Sequence, residues 1–120
     1  MSRPAHALAA LLLLASPAAA GVLDSPPAFA GAGANAQCLV RNFDSQIRSV
    51  TVTLLDTVGA VIDGPLTQQV GAGSTIDILN TGGPSGIYVT CRFEGLTRKV
   101  KGWITVIDGA GTRVMLPAGK

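Results

Sequence analysis

Beyond residue 37, apolar and polar positions alternate in short runs punctuated by Gly, Pro, Asn and Asp. No window holds the roughly 3.6-residue period of a helix; a period of two marks strands with one buried face. Residues 38–43 read as a first strand. In 48–55, Val50, Val52 and Leu54 point one way and Ser49, Thr51 and Thr53 the other. The turn Asp56-Thr57-Val58-Gly59 sends the chain back through 60–63, and Gly64-Pro65 interrupts it before a short, polar, edge-like piece at 66–70. After Gly71-Ala72-Gly73, Ile76 and Ile78 alternate with polar neighbours in 75–79, and 80–86 is a Gly/Pro-rich loop.

The C-terminal third carries the clearest pattern. Ile87, Val89, Cys91 and Phe93 share one phase, and Tyr88, Thr90, Arg92 and Glu94 the other. Val100, Ile104 and Val106 face in, whereas Lys99, Lys101, Trp103 and Thr105 face out. A hairpin loop over 95–98 would pair Phe93 with Val100, Val89 with Ile104, Ile87 with Val106 and Glu94 with Lys99, and would set Cys91 opposite Gly102. Asp108-Gly109-Ala110-Gly111 makes a last turn, after which Val114 and Leu116 complete the core. About seven or eight short strands with frequent turns predict an all-β fold, a small antiparallel β-sandwich, with a small barrel as the alternative. The architecture resembles the immunoglobulin-like sandwich. It departs from that family in placing Trp103 after the second cysteine and Val89 where the family has Tyr.

Upstream, residues 1–20 read as a signal peptide. Arg3 supplies the positive start, 7–15 the apolar stretch around Leu11 to Leu14, and Ala18-Ala19-Ala20 the small-residue cleavage site. The apolar stretch is about half a membrane span, so no permanent membrane anchor is expected. Ala28-Phe29-Ala30 is a second triplet that could be cut. Residues 21–36, rich in Gly, Ala and Pro, read as a flexible linker, which leaves 37–120 as one domain. The expected location is secreted or periplasmic. In that oxidising setting Cys38 and Cys91, 53 positions apart, are expected to form a disulfide bond. A domain of about 85 residues buries only about 60% of its unfolded surface and needs such a staple.

The chemistry is mostly one of exclusion. The single histidine, His6, lies in the expected signal, which removes His-based triads and His metal sites from the rest of the chain. With both cysteines bridged, no thiolate remains. Asp56 and Asp108 open Asp-x-x-Gly turns, where Asp caps its own backbone. Gly71-Ala72-Gly73-Ser74-Thr75 lacks the Lys of a phosphate loop, and Gly83-Pro84-Ser85-Gly86 has no base for its serine. No catalytic residues, no metal and no cofactor are expected. Losing Arg3 with the signal leaves eight basic against seven acidic residues, which is no nucleic-acid signature.

One constellation points to a surface. Tyr88, Arg92, Lys99, Lys101, Trp103 and Arg113 all fall in the outward phase of the last three strands. The hairpin register would set Arg92 opposite Lys101 and Trp103 diagonal to Tyr88. Aromatic rings among cations can stack on sugars and hold anions. The expected function is a non-enzymatic binding or structural module whose partner is an anionic or glycan ligand, or a protein. The alternatives are a subunit of a surface or periplasmic assembly joined through strand edges and, third, a carboxylate-based hydrolase.

Overall fold

The computed structural model describes residues 21–83 and 85–119. The expected signal, 1–20, lies outside the described residues. Nine strands are present among those described and no helix: β1 (Val22–Asp24), β2 (Ala28–Ala30), β3 (Asn35–Asn42), β4 (Arg48–Leu55), β5 (Val61–Val70), β6 (Thr75–Gly82), β7 (Ile87–Glu94), β8 (Val100–Ile107) and β9 (Arg113–Pro117). They form two antiparallel sheets. The first runs β1-β7-β4-β5, with β2 also paired to β7; the second runs β6-β3-β8-β9.

Alternation decides which side chains fill the space between the sheets. From the first sheet come Val50, Val52 and Leu54 of β4 and Val89, Cys91 and Phe93 of β7. The second sheet contributes Ala36, Cys38 and Val40 of β3 and Val100, Ile104 and Val106 of β8. Cys38 and Cys91 are joined, their Cα atoms 5.8 Å apart, so the bridge pins one sheet to the other. Buried Asn42 is the polar exception. Its amide donates to the carbonyls of Gln46 and Val70 and accepts from the Asp44 N–H, so none of its bonding capacity is stranded.

Two expectations from the sequence are corrected. First, β7 and β8 do not form a hairpin: β7 pairs with β4 in the first sheet and β8 with β3 and β9 in the second. Residues 95–98 cross between sheets. Gly95 has φ 107°, and a Cβ there would lie 2.7 Å from the Ser49 carbonyl oxygen, so the crossing needs a residue without a side chain. Leu96 is buried at the sandwich end. Cys91 lies beside Leu54 of β4, and Gly102 beside Val40 of β3. Gly102 does face β7, but the ring it makes room for is Phe93.

Second, residues 21–36 are not a linker. β1 pairs with residues 92–94 and β2 with residues 87–89 along the same edge of β7. Ala28, Ala30, Ala34 and Ala36 are buried in the core. Between β1 and β2, Ser25 closes the ladder. Its N–H donates to the Cys91 carbonyl, and its Oγ accepts from the Cys91 N–H at 3.0 Å. The piece expected at 66–70 is part of the longer β5, an edge strand whose register shifts opposite Val52 to Leu54.

Candidate binding face

The separation of β7 from β8 splits the predicted constellation. Tyr88 and Arg92 lie on the outer face of the first sheet. Tyr88 packs edge-on against Phe29 of β2, centroids 5.2 Å apart. Arg92 holds both carboxylate oxygens of Asp24 at 2.8 and 3.0 Å, which raises the guanidinium pKa further. Both residues tie the N-terminal strands to β7. Lys101 and Trp103 lie on the outer face of the second sheet, Arg113 is on β9 of that sheet, and Lys99 is in the turn before β8. Arg92 therefore does not oppose Lys101, and Trp103 is not diagonal to Tyr88: a sandwich core lies between them.

The second sheet's outer face is built from four strands in the order β6-β3-β8-β9. Its rows follow from register. Trp103 lies between Leu39 and Pro117, and Lys101 lies beside Arg41, whose other neighbour is Thr75. Thr105 lies between Gln37 and Met115. Leu39, Arg41, Thr75, Trp103 and Met115 line a shallow depression of about 180 Å³. Arg41 Nη1 donates to Thr75 Oγ1 at 2.8 Å, and its guanidinium carbon stands 4.9 Å from the centre of the Phe43 ring. The cation is thereby held at the rim of the depression. The face is covered closely enough that Thr105 is 1% exposed, its Oγ1 without a hydrogen-bond partner among the described residues.

Charge is uneven here. The ion pairs among the described residues are Arg48 with Asp44 and Arg92 with Asp24, and neither involves this face. Arg41 and Lys101 stand side by side without a carboxylate partner among the described residues, and Arg98 and Lys99 sit in the adjoining turn. The face's own acid, Asp77, lies beside Leu39 on β6. Burial raises its pKa, partly countered by the hydrogen bond from Asn80.

Leu39, Arg41, Thr75 and Met115 are residues that the sequence reading missed. Leu39 and Arg41 carry a signal, since they are out of phase with Cys38 and Val40 on an apolar strand. Their meeting with Trp103 depends on β3 pairing with β8, which spacing does not encode. Elsewhere the carboxylates serve structure. Asp56 Oδ1 accepts from the N–H groups of Val58 and Ala60, and Asp108 Oδ1 from those of Ala110 and Thr112. Asp63 caps Gly64 and bonds Thr81. Among the described residues no group of three or more His, Cys, Asp or Glu comes together, and no helix is long and apolar enough to cross a membrane.

These features define an all-β, two-sheet domain with a disulfide between its sheets. The fold is similar to that in the crystal structure of Thermotoga maritima 1070, with a TM-score of 0.60 and 12% identity over 83% of this chain and 93% of that one. At that identity the likeness is one of fold. No protein-family model and no curated protein matches the sequence.

Proposed function

We propose that this chain is an exported, non-catalytic binding module that engages an anionic partner through the outer face of its second sheet. The observation that carries the reading is Trp103, only partly buried on that face beside the Arg41–Lys101 pair. A large aromatic in the outward phase contributes less to the core than it would inside. Like charges directly opposite each other on a sheet repel, and an anion between them relieves the repulsion. Export is supported by the signal-like residues 1–20 and agrees with the bridged cysteines.

The test is a screen of the purified chain against anionic glycans, organic acids and phosphates, followed by Trp103→Ala. The variant is expected to lose binding yet keep its melting temperature within a few degrees. A stability loss beyond about 3 kcal/mol, the range for deleting a buried Trp, would make Trp103 a core residue and remove the binding face. A hit that Trp103→Ala leaves intact would also overturn the reading.

A second reading, assembly through strand edges, draws on β5 and β9, which end the two sheets and expose Val61, Leu66, Val114 and Met115. Sedimentation separates the two: a binding module is monomeric at micromolar concentration, whereas an assembly subunit forms defined oligomers.

A further inference from the structure

We propose that the depression beside Trp103 binds one small aromatic ring carrying a carboxylate, a ligand class that rests on the second sheet's outer face being the binding face. The wall restricts the body of the ligand. Leu39, Trp103 and Met115 are apolar, and polar atoms come from Thr75 and Arg41 at one side. A sugar would press several hydroxyls against that apolar wall without partners, which is costly. A flat hydrocarbon ring is not penalised and can stack offset or edge-on against the indole.

Size restricts it further. A cavity of about 150 Å³ lined by apolar side chains holds benzene. The depression here, about 180 Å³, matches the footprint of one ring.

Charge sets the substituent and its direction. Thr75 occupies one N–H of Arg41, and a guanidinium has five, so a fork of donors remains. That fork matches the two oxygens of a carboxylate. Thr75 and the Phe43 ring already hold the guanidinium, so little ordering is lost on binding. Lys101, across the strand from Arg41, adds a second positive charge at the same end. Asp77 lies two residues along β6 from Thr75 and repels an anion from the other end. The carboxylate therefore points to Arg41 and the ring to Trp103.

Trp103 is the single tryptophan of the chain, so its emission reports on this site alone. The purified chain is titrated with benzoate, benzamide, acetate and glucuronate. Benzoate is expected to shift the emission saturably, with a Kd of about millimolar for so small a ligand. Benzamide, with the ring but no charge, and acetate, with the charge but no ring, should bind at least about tenfold more weakly. Arg41→Gln should weaken benzoate about tenfold or more, in line with loss of a charge-assisted hydrogen bond. Should that variant melt early, the exposed Lys101→Gln carries the same test with a smaller loss. Equal binding of benzoate and benzamide would overturn the proposal. Saturable binding of glucuronate without benzoate would overturn the ligand class and keep the binding face. No response to any of the four, with a screening hit that Trp103→Ala leaves intact, would overturn both.

Discussion

Phe93 is the largest fully buried side chain, and it lies over Gly102 of the opposite sheet. A Cβ at Gly102 would come within 2.7–2.9 Å of three atoms of the ring. The ring is wholly enclosed and cannot swing into solvent. Gly102→Ala is therefore expected to cost about 1–3 kcal/mol in urea denaturation, the usual range for overpacking a core; an unchanged midpoint would contradict the contact. Phase alone placed many single residues on the correct side of their strands, although Val114, expected in the core, is exposed on the edge strand β9. Val89, Cys91, Phe93, Ile104 and Val106 are inside, and Trp103 and Lys101 are outside, as alternation predicts. What phase leaves open is the partner: Gly102 faces a gap in either arrangement, and the sequence does not say whether a disulfide or a phenyl ring fills it.

At the scale of elements, the same alternation fits two connections between β7 and β8. A hairpin and a crossover between sheets both bury every second residue, so the pattern cannot separate them. The crossover is fixed by contacts distant in sequence, β4 with β7 and β3 with β8. That is why the core was legible and the clustering of Tyr88 and Arg92 with Trp103 was not. The N-terminal strands escaped notice for another reason. A three-residue strand of Ala-Phe-Ala has too little contrast to register as alternation, and its Gly/Pro-rich surroundings resemble a linker. Yet Ser25 satisfies both backbone groups of Cys91 at a buried point. Ser25→Ala should leave the Cys91 N–H unpartnered and cost about 1–3 kcal/mol. Faster hydrogen exchange at the Cys91 amide would accompany it, and unchanged exchange would count against the clamp. Cleavage after Ala30 would remove β1 and β2 together, so N-terminal sequencing of exported chain is expected to begin at Gly21.

Across the whole molecule, one disulfide cross-links two sheets that otherwise meet through core packing, the chain's own crossings and a few hydrogen bonds such as Asn42 to Val70. The bridge closes a separation of 53 residues. In the chain-entropy model such a loop stabilises by about 4 kcal/mol, a large share of the roughly 5–15 kcal/mol of a typical domain. Reduction should lower the melting temperature by roughly 15–30 °C, and a shift of only a few degrees would mean that packing alone holds the sheets. Because β7 and β8 belong to different sheets, the outer faces lie on opposite sides of the core: Tyr88 and Arg92 serve the N-terminal strands, while Trp103, Arg41 and Lys101 share a surface with no ion pair among the described residues. The most direct test of that division is an amide chemical-shift map of the isotope-labelled chain during titration with benzoate. The expected result is saturable shifts concentrated at Leu39, Arg41, Thr75, Trp103 and Met115. Shifts centred on Phe29, Tyr88 and Arg92 instead, or none at these positions up to tens of millimolar (roughly tenfold above the expected Kd), would contradict it.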